Sequence, residues 1–204
     1  MTSDVTAPRL YLRVAMHGLS FSLAMLTAVI GVALSANAQD GSLRERLSKL
    51  PDENLADAIV EYVSEKSGND ERRAFDVLNV SPQGVRYIYA TWWVDGEVNN
   101  GGFHQYFWNH GDWMADVAIA AYEVMGGNEY AAIMREATSI WRGERETMKS
   151  FQERGTLEAF SESNKHTRLG PLDERYYDLQ GMVYRLQIDF IRNHPEKFDA
   201  ASIQ

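Results

Sequence analysis

The 204-residue chain contains no cysteine. It therefore has no disulfide framework, no thiolate metal site and no cysteine nucleophile. Its stability has to come from packing, and a composition of 45% hydrophobic and 11% aromatic residues is that of a globular protein with a core. The length has room for one domain.

Several catalytic patterns are missing as well. The chain has no Gly-rich phosphate loop, no Gly-x-Ser-x-Gly elbow and no His-Glu-x-x-His pair. Runs of alternating β-branched residues are also absent, whereas apolar residues recur at helical spacing almost throughout. We predict an all-α protein that is not an enzyme and that uses no cofactor and no metal ion.

Residues 1–38 have the features of a secretory signal peptide. A basic start is followed by an apolar run over residues 19–34, and Ala36-Asn37-Ala38 places small residues where a signal peptidase reads them. We predict cleavage before Gln39, a periplasmic or secreted location, and no membrane contact after cleavage. The alternative is a retained anchor, because residues 14–34 are long enough to span a membrane.

The charge of the remaining chain restricts its partners. Arg9, Arg13 and Asp4 are the charged residues of the first 38, so residues 39–204 retain 18 Lys and Arg against 28 Asp and Glu, a net charge of −10. Nucleic acids and anionic membranes carry the same sign and are disfavoured as direct ligands. We predict a protein partner, and a basic one would be attracted electrostatically. A second copy of the chain, forming a homodimer, is a further candidate partner.

Helix signals predict a compact bundle of about six to eight helices as a single domain over residues 39–204. Asp52 is expected to cap a helix that ends at Gly68, and Ser81-Pro82 to open a helix that ends near Asn99. Further segments are expected as follows: a short helix with Phe103, Tyr106 and Phe107, a helix capped by Asp112, a helix from Asn128 toward Arg154, a polar loop from Ser161 to Gly170, and one continuous helix from Asp173 to Asn193 with a seam of Tyr176, Leu179, Val183, Leu186 and Phe190.

An acidic stripe is predicted near the start of this domain. Its four carboxylates recur every four residues with no Lys or Arg between Pro51 and Glu65, and on a helix they would lie about 6 Å apart along one face. The stripe has two interpretations: a surface that binds a basic partner, or a solvated face that the upstream Arg44, Arg46 and Lys49 neutralise. Its members are Glu53, Asp57, Glu61 and Glu65.

The densest motif is a double-glycine corner at residues 97–111, Glu-Val-Asn-Asn-Gly-Gly-Phe-His-Gln-Tyr-Phe-Trp-Asn-His-Gly. One interpretation is structural: the glycines turn the chain and the rings fill the core. The other is a hydrolase site in which Glu97, His104 or His110 exchanges protons. These three residues span a helix break without the i, i+4 spacing of a helical metal site. Candidate binding residues of the motif are Asn100, Gly101, Gly102, Phe103, Gln105, Tyr106 and Asn109.

The segment 98–109 resembles the signature of a bacterial domain family of unknown function that includes the C-terminal domain of a DNA-mimic protein. The similarity covers about residues 75–198 and includes Leu-Asp-Glu-Arg-Tyr-Tyr at 172–177 and His-Pro-Glu-Lys-Phe at 194–198. The resemblance implies an all-helical fold and, for the DNA-mimic member, an acidic surface, dimerisation and binding to a transcription factor. Because the predicted export removes this chain from transcription factors, we predict a non-catalytic module that binds another protein of the bacterial envelope.

Overall fold

The computed structural model describes residues 42–179 and 181–199, so the predicted signal peptide (residues 1–38) lies outside the described residues. Across the described ranges the chain forms nine α-helices and no strand, which confirms the all-α prediction but exceeds the six to eight helices expected. None of these helices has the length and apolar character needed to cross a membrane. The helices are α1 (Leu43–Lys49), α2 (Leu55–Ser67), α3 (Glu71–Asn79), α4 (Gln83–His110), α5 (Ala115–Val124), α6 (Asn128–Gln152), α7 (Leu157–Ser163), α8 (Gly170–Asp178) and α9 (Val183–Asn193).

Helix α4 is the centre of the bundle. It spans 28 residues and contacts α2, α3, α5, α6, α8, α9 and a C-terminal 3-10 turn at Pro195–Phe198. Val85, Ile88 and Val98 on α4 are fully buried, and they belong to one hydrophobic cluster that draws side chains from helices throughout the described chain. Burial of such aliphatic side chains contributes roughly 1.5–3 kcal/mol each. The cluster fixes the helices around α4.

Helix α2 agrees closely with its prediction. Leu55, Ile59 and Val63 are buried with 0% exposure, and Gly68 ends the helix in the left-handed conformation at φ 65°. Asp52, which was expected to cap this helix, lies in a 3-10 turn (Asp52–Asn54) ahead of it, where its carboxylate accepts a hydrogen bond from Arg192 at 2.8 Å. The C-terminal helix α9 is thereby joined to the beginning of the domain.

Two more predicted N-terminal caps are wrong, besides Asp52. The Ser81 hydroxyl donates to the carbonyl of Val77 at 2.7 Å and so serves the end of α3, while α4 begins at Gln83 without a side-chain cap. Asp112 precedes α5 by three residues and accepts hydrogen bonds from Arg142 and Arg145 on α6 at 2.7 and 2.8 Å. The side chains of Ser81 and Asp112 therefore form hydrogen bonds that were not predicted from the sequence.

The expected polar loop from Ser161 to Gly170 is also wrong. Its first residues complete α7, and a 3-10 turn follows at Asn164–His166. The Thr156 hydroxyl caps α7 by accepting from the backbone N–H of Ala159 at 3.1 Å, and Ala159 and Ser163 are buried. Ala159 and Ser163, together with Phe160 packed on His104 and Trp108, dock this short helix on the bundle.

The single helix expected from Asp173 to Asn193 is two helices, α8 and α9, with a turn between them. Gly181 adopts φ 68° in this turn, and the Tyr130 hydroxyl from α6 donates to the carbonyl of Leu179 at 3.2 Å and accepts from the N–H of Met182 at 3.1 Å. One hydroxyl therefore satisfies two backbone groups that a continuous helix would have paired. The seam spacing persists because both helices face the same core.

Candidate functional site

The glycine corner lies inside α4. Gly101 has φ −157° and ψ 21°, and Gly102 has φ 80° and ψ 177°. A positive φ with an extended ψ is a conformation that only glycine adopts readily. The predicted break is therefore confirmed, although it is a kink, and α4 continues to His110 where the sequence predicted an end near Asn99.

Helix α8 holds the kink in place. The Asp173 carboxylate accepts a hydrogen bond from the backbone N–H of Phe103 at 2.8 Å. An N-cap residue makes the same kind of bond, but Asp173 is 70 residues away from Phe103 in the sequence. The Tyr177 hydroxyl donates to the carbonyl of Val98 at 2.8 Å, on the other side of the kink. We call Asp173 and Tyr177 the α8 clamp. Burial raises the pKa of the Asp173 carboxyl, and the bond from Phe103 opposes this shift.

A tyrosine network extends from the clamp into the core. The Tyr176 hydroxyl donates to Asp95 at 3.1 Å and lies 3.3 Å from the hydroxyl of Tyr122. Burial raises the pKa of both hydroxyls well above the ordinary tyrosine value. The two rings are buried, so these hydroxyls are neutral hydrogen-bonding groups that join α4, α5 and α8.

Glu97 is the buried polar centre of the corner. Its carboxylate accepts from the side-chain amides of Gln105 at 2.7 Å and Asn109 at 3.1 Å, and its other oxygen lies 3.1 Å from Nε2 of His110. The side chains of Glu97 and His110 are each 7% exposed. Because Glu97 precedes the kink and its three partners follow it, this cluster fastens the two halves of α4 together. We call it the Glu97 cluster.

His104 lies apart from the Glu97 cluster, beneath α7. Its Nε2 is 2.9 Å from the hydroxyl of Ser163, which donates its own proton to the carbonyl of Phe160 at 2.8 Å. The serine oxygen is therefore the acceptor and the histidine the donor, the reverse of a serine nucleophile and its general base. Burial lowers the pKa of His104 to about 4, and the charge of Glu144 opposes this shift.

The remaining motif residues divide between core and surface. Phe103 and Tyr106 are buried, and Phe103 packs edge-on against Tyr176 with ring centroids 5.5 Å apart. The hydroxyl of Tyr106 has no hydrogen-bond partner among the residues that the structure describes, and burial raises its pKa. Asn100 and Gly101 are exposed, whereas Gly102 is buried. The structure thus unites Gln105 and Asn109 with Glu97 and leaves Asn100 at the surface.

The acidic stripe is at the surface, and all four of its residues are exposed. Glu53 lies in the 3-10 turn before α2, so the helical repeat covers Asp57, Glu61 and Glu65 alone. Within residues 42–179 and 181–199, no three His, Asp or Glu side chains gather as ligands for a metal ion.

Part of the stripe is already paired within the chain. The Arg46 guanidinium lies 2.6 Å from Glu61 and 4.0 Å from Glu65, as the neutralisation interpretation expected. Arg44 and Lys49, which were expected to act in the same way, pair instead with Asp199 and Glu45. Asp57 accepts from the indole N–H of Trp92 at 3.0 Å. Exposed ion pairs of this kind contribute at most about 1 kcal/mol, so the carboxylates remain accessible to a partner.

An exposed tyrosine adjoins the stripe. Tyr184 on α9 is 44% exposed; partial burial raises the pKa of its hydroxyl, and the charges of Glu53, Asp52 and Asp57 raise it further. An aromatic ring beside carboxylates is a surface that suits Lys and Arg side chains, because both groups attract a cation.

The sequence did not identify the α8 clamp as part of the corner. Asp173 and Tyr177 were visible only as members of the Leu-Asp-Glu-Arg-Tyr-Tyr segment that accompanied the glycine motif in the resemblance. The two segments occur together in the resemblance, and in the structure they are in contact. Asp173 and Tyr177 of the second segment make hydrogen bonds to the kink in the first.

Comparisons with known proteins identify a family. A family model described as DMP19-like protein matches residues 81–194, which is more than half of the chain. No curated protein and no solved structure matches the chain. The matched range contains the glycine corner, the Glu97 cluster and the α8 clamp, whereas the acidic stripe lies ahead of it.

Proposed function

The chain belongs to the family of DMP19-like proteins, a DNA-mimic family, and from this we propose that it is a non-catalytic module that binds a basic protein through the acidic stripe. The family match confirms the resemblance given by the Asn-Gly-Gly-Phe segment. The observation that supports the proposal most directly is the exposure of Glu53, Asp57, Glu61 and Glu65, of which Glu53 and Asp57 act electrostatically on the exposed Tyr184. Because family membership carries the fold more safely than the activity, the partner has to be argued from this surface.

The proposed location is the bacterial envelope or the exterior, with a partner other than a transcription factor. This rests on the basic start, apolar run and Ala36-Asn37-Ala38 site of the sequence. We expect the exported protein to begin at Gln39, as measured by N-terminal sequencing of material from the envelope fraction. A chain that begins at residue 1 or 2 and remains with the membranes would contradict this and support the retained anchor.

The burial of the ionisable groups at the glycine corner supports a binding module over a hydrolase. Glu97, His104 and His110 would need to converge on a substrate cleft to act as acid and base. Glu97 and His110 instead bond to each other with 7% exposure of each side chain, and His104 bonds to Ser163 in another part of the core. Their hydrogen bonds stabilise the kink and the docking of α7.

Neutralising the stripe is expected to weaken binding to a basic partner without unfolding the protein. We propose the variant Glu53→Gln, Asp57→Asn, Glu61→Gln and Glu65→Gln, measured by calorimetric titration of a Lys- and Arg-rich peptide at 50 mM salt. Each lost charge is worth roughly 0.2–1 kcal/mol, so the loss of all four should raise the dissociation constant at least about fourfold. The wild-type affinity should also fall as salt increases.

The matched control removes four carboxylates elsewhere. Glu129, Glu146, Glu153 and Glu158 are exposed, and replacing them with Gln makes the same change in net charge. If the peptide binds specifically at the stripe, its dissociation constant for this control should lie within about twofold of the wild-type value. If both variants lose affinity equally, the net charge and not the stripe carries the attraction, and the proposed site is wrong.

A further inference from the structure

Helix α7 and the 3-10 turn after it, residues 157–166, form a strap over one face of the bundle. Most of its residues are exposed, and only Ala159 and Ser163 are buried. The strap follows Gly155, which has φ 64°, and packs mainly against α6. A seven-residue helix with two small buried side chains has little stability of its own. Its attachment to the bundle therefore depends on a few contacts.

His104 is the central contact beneath the strap. The residue is 2% exposed; its ring stacks on Phe160 with centroids 4.7 Å apart, while Nε2 bonds to Ser163. Trp108, one turn along α4, packs edge-on against the same Phe160 at 5.2 Å. The strap therefore closes over a neutral imidazole and an indole.

The charged groups around His104 offer its protonated form little compensation. From α6, Glu144 favours the protonated ring, but its carboxylate already accepts from Thr167 at 2.7 Å and from the guanidinium of Arg168 at 2.8 Å. On the strap itself, Glu162 pairs with Arg154 at 2.7 Å. The Ser163 hydroxyl is an acceptor that serves the neutral ring as well as the charged one.

We propose that the strap is an acid-sensitive cover, which opens when His104 takes up a proton and exposes the ring faces of His104, Trp108 and Phe160. The pKa of His104 is lowered to about 4 in the closed state and returns to about 6.5 when the ring is solvated. Because the pKa of His104 is lower in the closed state, the closed state prefers the neutral ring and is fully stable above pH 6.5. This stability is lost as the pH falls from 6.5 toward 4 and the ring takes up a proton. The opening equilibrium should rise about 30-fold between pH 7.5 and 5.0.

Hydrogen exchange of the full chain tests this proposal. After correction for intrinsic exchange rates, amide protection in residues 157–166 should fall about 30-fold from pH 7.5 to 5.0, whereas protection in α4 and α6 stays unchanged. His104→Gln retains a side-chain N–H donor for Ser163 and should abolish the pH dependence. His194→Gln, at an exposed histidine of another surface, should leave it as in the wild type.

Two further measurements keep the test decisive if His104→Gln does not fold. Ser163→Ala removes the hydroxyl that bonds to His104 but leaves the His104 ring buried. Amide protection in the strap should therefore be lower at both pH values, and it should still fall between pH 7.5 and 5.0. In the wild type, the His104 ring should titrate near pH 4 by NMR. Strap protection that is independent of pH, a loss shared equally by α4 and α6, or a His104 titration near pH 6.5 would each overturn the proposal.

Discussion

Replacing Gly102 with Ala is expected to lower the free energy of unfolding by about 1.5–5 kcal/mol. Two effects add. The φ of 80° with ψ of 177° costs a residue with a Cβ about 1–3 kcal/mol. The new Cβ would also lie 2.4 Å from Oδ2 of Asp173, which displaces the carboxylate that caps Phe103, and loss of an N-cap costs roughly 0.5–2 kcal/mol. Urea denaturation followed by circular dichroism gives the change.

Gly143→Ala is the matched control for this substitution. Gly143 lies in α6 with nothing within 4 Å of a Cβ, so Ala there should raise stability by up to about 1 kcal/mol through helix propensity. In an Asp173→Ala background, the cost of Gly102→Ala should shrink, because the clash is gone and the strain alone remains. A Gly102→Ala protein as stable as the wild type would show that the α8 clamp does not hold the kink.

Replacing Glu97 with Ala should lower the free energy of unfolding by about 3–5 kcal/mol. The change leaves the amides of Gln105 and Asn109 and the imidazole of His110 without their common acceptor inside the protein. Removing the shared acceptor of several donors at once has a cost of this size, because each donor loses a hydrogen bond that the folded protein supplies. The measurement is the same denaturation experiment at pH 7.

Glu97→Gln separates the loss of hydrogen bonds from the loss of charge. Its oxygen can still accept from both amides, and its N–H2 can donate to a neutral His110 ring, so the cost should fall below that of Ala. Glu146→Ala, at an exposed position of α6, should change stability by no more than about 0.5 kcal/mol. Equal stability of the Glu97→Ala and wild-type proteins would contradict the role assigned to the Glu97 cluster.

The helical fold was predictable because it depends on local spacing. The apolar face of α2 and the course of α6 follow directly from periodicity. The errors arose where a distant side chain decided the outcome. Nothing within residues 173–193 reveals that Tyr130 supplies both hydrogen bonds at the break between α8 and α9. Gly181 alone does not predict a helix end when the apolar spacing around it favours one continuous helix.

The candidate site shows the same division. The sequence identified the glycine corner and its turning residues, since double glycine and neighbouring amides are local signals. It did not reveal that Glu97 is buried beneath Gln105, Asn109 and His110, because a carboxylate in an acidic protein is expected at the surface. For the acidic stripe, the exposed positions and the pairing with Arg46 were predictable, whereas the Trp92 contact required the packing of α4 against α2.

The family match begins at residue 81, so the kinked helix and its α8 clamp belong to the matched part of the chain, while α2 with its carboxylates precedes it. The outward positions of α2 make few contacts that the core requires, and its inward positions are ordinary aliphatic residues. Mutations on that outer face can therefore accumulate without penalty to the framework. The binding surface proposed on α2 can therefore change its specificity while the scaffold that the family model matches stays the same.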